Sequence, residues 1–146
     1  MKNAETPFAV FVVCPFDCGD GILLAVTTRD GKDAGRIGLP GGKVDLGENP
    51  VAAAIREASE EGWNVEIEPN VDPIHMAIVD GKEVWWFAGY NASKREAWKE
   101  QARGITPELA SLAAVVKSGY GNEWLEGVEY ALACHALMAI NTSLIK

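Results

Sequence analysis

The sequence lacks the features that mark a membrane, secreted or polyanion-binding protein. Its 146 residues contain no apolar run near the roughly 20 residues that cross a bilayer. Lys and Arg number 13 against 21 Asp and Glu, which gives a net charge of −8. A chain of this charge repels nucleic acids and anionic membranes, so neither is expected as a partner. No signal-like apolar segment precedes Pro7, and we therefore expect a cytoplasmic protein.

Cysteine and histidine are also scarce, with three and two copies. Cys14 and Cys18, with Cys134-His135 far downstream, offer one short-spaced pair that no second pair matches. We interpret the cysteines as reduced thiols that fill apolar space rather than as a zinc site.

Length and composition predict a single globular domain over residues 1–146. Apolar residues make up 48% of the chain, which is too many for a disordered protein, and neither a repeat nor a linker divides it. The acidic charge leaves one class of phosphate ligand open, namely one that arrives with a divalent cation.

Apolar runs and turn residues predict strands interleaved with helices. Asp80-Gly81 is a hairpin signal. Gly41-Gly42 is expected to interrupt regular structure. Strands are predicted at 8–14, 22–28, 65–67, 74–79 and 83–90, the first two as a hairpin across a turn at 15–21; helices at 49–61, 107–117 and 124–140; and loops at 29–36 and 91–104. This order favours an α/β fold whose mixed sheet is covered by helices on both faces.

The helix at 49–61 has the clearest local signals. Asn49 is a good N-cap, Pro50 suits the first helical position, and Gly62 can end the helix in a left-handed conformation. At about 100° per residue, Val51, Ile55 and Ala58 form an apolar stripe that must face the sheet.

Three carboxylates of this helix, Glu57, Glu60 and Glu61, share a face displaced from the apolar stripe. Like charges at these spacings repel, and the macrodipole disfavours anions at a helix C-terminus. A solvated acidic face is one interpretation. The other is a site for Mg²⁺ or Mn²⁺, which prefer oxygen ligands. Arg56 can fix a carboxylate, and a Gly-Gly-Lys segment upstream allows close approach of a ligand to the backbone.

The stretch from Gly42 to Asn64 resembles the box of the Nudix hydrolases, G-x5-E-x7-R-E-U-x-E-E-x-G-U, where U is apolar. The matching residues are Gly42, Glu48, Arg56, Glu57, Ala58, Glu60 and Glu61. The end of the box departs, because Trp63 stands where the family has glycine, Gly62 comes one place early, and Asn64 takes the last apolar position. The segment is not a nucleotide-binding P-loop, since Val44 follows Lys43.

The resemblance implies a Nudix-type α/β/α sandwich with a mixed β-sheet that hydrolyses a nucleoside diphosphate linked to another group. It implies that Mg²⁺, or Mn²⁺ as a substitute, is bound by Glu57, Glu60, Glu61 and the Gly41 carbonyl. Glu48 and Arg56 would orient those ligands, and Glu60 or Glu61 would act as the general base. The family often recruits a further carboxylate from a later loop. Glu100 is the candidate here, with Glu96 and Glu108 as alternatives.

The substrate is less well defined. Arg29 and Arg36 could bind phosphate beside Gly41 and Gly42, or be solvated loop charges. Ala77 and Ile78 stand where ADP-ribose hydrolases of the family carry proline, so we expect a nucleoside triphosphate or similar small nucleotide. A non-catalytic nucleotide or metal sensor on the same fold is the alternative.

The tryptophan residues lead to two further predictions. In Trp85-Trp86-Phe87 the first and third residues should face opposite to the second, and the outer face could stack on a base or pack in the core. Exposed tryptophans leave a homodimer open.

Overall fold

The computed structural model describes residues 6–17, 22–29, 37–94, 105–111 and 114. In chain order the elements of this part are β1 (Ala9–Val13), β2 (Pro15–Asp17), β3 (Ile22–Arg29), β4 (Ile37–Gly38), β5 (Gly41–Lys43), α1 (Pro50–Glu60), β6 (Trp63–Glu66), β7 (His75–Val79), β8 (Lys82–Ala88), β9 (Tyr90–Lys94) and β10 (Ile105–Ser111).

The strands form three sheets. The first has the order β5-β1-β8-β7, and its β1–β8 pair is parallel whereas its other pairs are antiparallel. The second has the order β10-β3-β2, with β4 also paired to β3, and the third is the pair β6-β9. The first sheet is therefore mixed, as the sequence predicted, and within the described residues no helix is long and apolar enough to span a membrane.

The two faces of β1 and β8 bury alternate residues. Val10 and Val12 lie in one apolar cluster with the buried side of α1, and Ala9 and Val13 lie in a second cluster with residues of β3. Trp85 and Phe87 belong to the first cluster, and Trp86 belongs to the second. The predicted alternation is confirmed, and all three aromatic side chains pack in the core.

Helix α1 has the predicted ends. The Asn49 side chain accepts hydrogen bonds from the backbone N–H groups of Val51 at 2.9 Å and Ala52 at 3.1 Å. Gly62 follows the last turn with φ +98°, where an L side chain would be strained. The buried face differs from the predicted stripe of Val51, Ile55 and Ala58. It also includes Ala53 and Ala54, which are fully buried, whereas Ile55 is only partly buried.

The predicted hairpin of strands 8–14 and 22–28 is wrong. β1 pairs with β5 and β8. β3 pairs instead with β2, a strand that lies inside the segment predicted as a turn. The chain passes from the first sheet to the second at Cys14, whose carbonyl still accepts from Ala25 N–H at 3.1 Å. Pro15 is tolerated in β2 because an edge strand does not need every N–H.

Gly41-Gly42 does not interrupt regular structure but forms β5, in register with Phe11 and Val10. A Cβ on Gly41 would lie 2.2 Å from the Val10 carbonyl oxygen and 2.5 Å from Phe11 Cδ1. Glycine here allows the two strands to lie close together. Local sequence rules instead interpret a Gly-Gly pair as a break in regular structure.

Two further predictions fail because of long-range pairing. Residues 91–94, expected in a loop, lie in β9 and pair with β6. Residues 107–111, expected in a helix, lie in β10, which pairs with β3 along seven residues. The rest of the 107–117 helix, apart from Ala114, and the helix at 124–140 lie outside the described residues. The hairpin at Asp80-Gly81 is confirmed, with φ of 52° and 79° at its two turn residues.

Candidate active site

Arg56 is the centre of a charged cluster on the exposed side of α1. Its Nε donates to Glu48 Oε2 at 2.8 Å, and its Nη2 donates to Glu48 Oε1 at 3.0 Å. Its Nη1 donates to Glu57 Oε2 at 3.0 Å and to Glu60 Oε2 at 2.9 Å. These bonds, above all those with Glu48, raise the pKa of Arg56, so the guanidinium is permanently charged. One guanidinium thus fixes three carboxylates of the box.

Glu48 is held from two sides by the turn that precedes the helix. Its Oε1 also accepts from the backbone N–H of Asp45 at 2.9 Å, and its own N–H donates to the Asp45 carbonyl at 3.0 Å. Hydrogen bonding to the Arg56 guanidinium, aided by the Asp45 N–H, lowers the pKa of the Glu48 carboxyl. Arg56 and Glu48 are therefore joined by a charge-assisted bidentate pair.

Glu57 lies directly over Gly42. A Cβ on Gly42 would be 2.3 Å from Glu57 Oε1, so any other residue here would push this carboxylate out of its observed position. The side chain is 17% exposed, and burial raises the pKa of the Glu57 carboxyl despite the bond from Arg56.

Glu61 is the deepest of the acids, with 7% of its surface exposed. Its Oε1 accepts from the backbone N–H of Gly41 at 3.2 Å. Glu57 and Glu61 therefore lie against the same dipeptide, Gly41-Gly42, whose missing side chains leave its backbone accessible to both.

Glu60 is the most exposed of the three acids. Its side chain is 56% exposed and is held by Arg56 one turn earlier. Within the described ranges, no three His, Cys, Asp or Glu side chains converge in a way that would hold a metal ion. The structure therefore joins Glu57 with Glu61 through the glycines and Glu57 with Glu60 through Arg56, rather than gathering all three at one point.

The other predicted site residues are only partly placed. Arg29 is the last residue of β3, opposite Ile105, and Arg36, Glu96 and Glu100 lie outside the described residues. Glu108 follows Pro107, which packs against Gly62 at the end of the helix. Its own side chain is exposed and lies 3.8 Å from Lys94 Nζ.

Two contacts of the cluster escaped the sequence analysis. The carbonyl of Lys43 accepts from Arg56 Nη2 at 3.1 Å, and the Asp45 carboxylate lies 3.6 Å from the same nitrogen. Asp45, three residues before Glu48 and followed by Leu46-Gly47, has the pattern of a turn that could have been noticed. A backbone acceptor such as the Lys43 carbonyl leaves no signal in side-chain identity.

The departure at the end of the box falls at the turn after the helix, downstream of the acids. The strand begins immediately after Gly62, and Trp63 is almost fully buried, with its ring 6.1 Å from that of Phe16. The indole takes the place of the family glycine and packs into the core.

Comparison with known proteins identifies the family. The family model described as NUDIX domain matches residues 5–115, more than half of the chain, and the chain belongs to this family. The fold is shared with a NUDIX hydrolase from Nitrosomonas europaea, at a TM-score of 0.70, 16% identity and coverage of 88% of this chain and 90% of that one.

Two further solved structures share the fold at low identity. A C. elegans Ap4A hydrolase matches with a TM-score of 0.59 and 16% identity over 90% of this chain and 98% of that one. The NUDIX domain of Shewanella oneidensis NrtR, solved with ADP ribose, matches with a TM-score of 0.60 and 16% identity over 91% and 98%. No curated protein sequence matches the chain.

Proposed function

We propose that this Nudix protein is a Mg²⁺-dependent pyrophosphohydrolase that acts on a nucleoside diphosphate-linked substrate, with a nucleoside triphosphate as the expected substrate. One observation carries the proposal: Glu57 and Glu61 lie against the bare backbone of Gly41-Gly42, where neither residue can carry a Cβ without a clash. A solvated acidic face needs neither buried carboxylates nor glycines beneath them.

The donor chemistry suits a hard divalent cation. Glu57, Glu61 and the Gly41 carbonyl supply oxygens close to one backbone segment, and Glu60 would complete the set by leaving Arg56, which its exposed position permits. Bound Mg²⁺ would neutralise the charge of the diphosphate and make water more acidic.

The remaining residues prepare the acids for this task. Arg56 and Glu48 hold Glu57 in place through a rigid bidentate pair, so that little ordering is left for the moment of ligand binding. The proton of the attacking water would be taken by Glu60 or Glu61, whichever of the two is left free when the other carboxylates bind the metal. Arg29 and Arg36 are proposed to bind the phosphates.

Names of structural relatives are consistent with nucleotide ligands. One relative is an Ap4A hydrolase and another was solved with ADP ribose. The alternative function is a sensor that binds such a ligand without cleaving it.

The test is hydrolysis of a nucleotide panel by the purified chain with Mg²⁺, with Mn²⁺ or with a chelator. We expect metal-dependent release of a nucleoside monophosphate and pyrophosphate from one or more triphosphates, identified by chromatography. Glu61→Gln should reduce turnover by several orders of magnitude, yet fold normally, because the amide oxygen can still accept from Gly41 N–H. Glu68→Gln, an exposed carboxylate bonded to Tyr90 outside the box, is the matched control.

Three outcomes separate the interpretations. Turnover that requires both metal and Glu61 supports the enzyme. Calorimetric binding of nucleotide and metal without turnover supports the sensor. If neither metal nor nucleotide changes the melting temperature, the acids bind no ligand and both the enzyme and the sensor are excluded.

A further inference from the structure

The edges of the three sheets are protected with one exception. An exposed strand edge pairs readily with another chain, and proteins block it with proline, with charge or by keeping the strand short. Among the described strands, β4 has two residues, and the other edge strands except β7 carry a blocking residue: Pro15 and Asp17 in β2, Lys43 in β5, Glu66 in β6, Lys94 in β9, and Pro107 and Glu108 in β10.

The exception is β7, the outer strand of the mixed sheet. Its five residues, His75–Val79, include neither a proline nor an acidic or a lysine or arginine side chain. Within the described part of the chain it pairs with β8 alone. Two apolar side chains on one face of it stand in solvent, Met76 at 55% and Ile78 at 66% exposure.

This strand is complementary to itself. In an antiparallel pair of two copies centred on Ala77, Met76 lies opposite Ile78 of the partner subunit, so apolar groups meet on the exposed face. Such a pair has the two-fold symmetry of most homodimers. The net charge of −8 disfavours contact between two copies over most of their surface, whereas β7 brings no like charges together.

We propose that β7 is a homodimer interface, where a second copy of this chain adds its own β7 and continues the mixed sheet across the two-fold axis. The tryptophans that suggested a dimer in the sequence do not form this surface, since Trp63, Trp85 and Trp86 are buried. The interface lies outside the box and is independent of the proposed hydrolysis.

The test is the mass of the full chain in solution, by light scattering and sedimentation over a wide range of concentration. The wild type should have the mass of two chains. Ile78→Lys should weaken association on the order of a hundredfold, because each two-fold contact then buries two unpaired ammonium groups. Ile78 is mostly exposed, so the substitution should leave circular dichroism of the monomer unchanged. Leu109→Lys, an exposed apolar residue of the protected edge strand β10, is the matched control and should remain dimeric.

A cross-linking experiment checks the register. Mixing Met76→Cys chains with Ile78→Cys chains, both with Cys18 and Cys134 changed to serine, should give a disulfide-linked heterodimer on oxidation, in higher yield than either variant alone. A wild type that has the mass of one chain at every concentration overturns the proposal. So does a dimer that Ile78→Lys leaves intact.

Discussion

The indole Nε1 of Trp63 donates a 2.8 Å buried hydrogen bond to the carbonyl oxygen of Val26. The bond joins the residue after the helix C-terminal turn to the central strand of the second sheet, 37 positions earlier in the sequence. It fixes the end of α1, and with it Glu60 and Glu61, relative to β3.

Trp63→Phe should lower the free energy of unfolding by about 1–3 kcal/mol, because it removes this bond and leaves space beside Phe16. Denaturant titration measures the loss. Trp85→Phe is the control, since it removes a similar ring volume, but its indole donates to the carboxylate of Glu83, which water can solvate. Equal losses in the two variants would show that the Val26 bond contributes nothing.

The two glycines of β5 should respond differently to alanine. In Gly42→Ala the new methyl group meets the end of the Glu57 side chain, which can move away, so stability should change little while Mg²⁺ affinity in calorimetry falls. In Gly41→Ala the new methyl group meets the Val10 backbone, which cannot move away. The free energy of unfolding should fall by about 1–3 kcal/mol, and the melting temperature should fall with it. The opposite order of thermal stabilities would contradict the close approach seen here.

The ion pair of Glu48 and Arg56 should stabilise the protein at neutral pH and lose its effect as the pH becomes acidic. The folded-state pKa of Glu48 is lowered, so its contribution is complete above the unfolded value of about 4.3 and is lost as pH falls through the folded value. We expect Glu48→Gln to cost about 1 kcal/mol or less at neutral pH, since the pair is partly solvated. Thermal melts of both proteins from neutral to acid pH should therefore converge. If the wild type is still more stable than Glu48→Gln in strong acid, the stability lost in the variant comes from packing and not from the ion pair.

Cys14 should resist alkylation in the folded protein. Burial raises the pKa of its thiol to about 11, so at mildly alkaline pH the thiolate is both rare and inaccessible. Peptide mapping by mass spectrometry after iodoacetamide treatment should show Cys14 unmodified in the native chain and modified in denaturant. Rapid native modification of this peptide would mean that β1 opens at its end.

The parts of the structure that local chemistry determines were predictable. Asn49, Pro50 and Gly62 act within one turn of the helix ends, and the acids follow from helical spacing. Arg56 was expected to hold a carboxylate, and it does. The roles of these residues in binding and hydrolysis remain predictions.

The parts that depend on distant partners were not predictable. Residues 107–111 have the composition of a helix, but β3 offers a long edge, and pairing outweighs intrinsic preference. Gly41-Gly42 joins a sheet because β1 lies beside it, which no local pattern indicates. Helical spacing predicted that the three carboxylates share one face, but it did not predict their burial: Glu61 is buried against β5, whereas Glu60 is exposed.

The pairing of β5 with β1 ties the candidate site to the apolar interior. Phe11 sits opposite Gly41, the residue whose amide holds Glu61, so a changed side chain at Phe11 would tilt that amide without altering any acid. Directed evolution of ligand preference could therefore start from an uncharged position of a central strand, where a library would leave every ionisable group of the box in place.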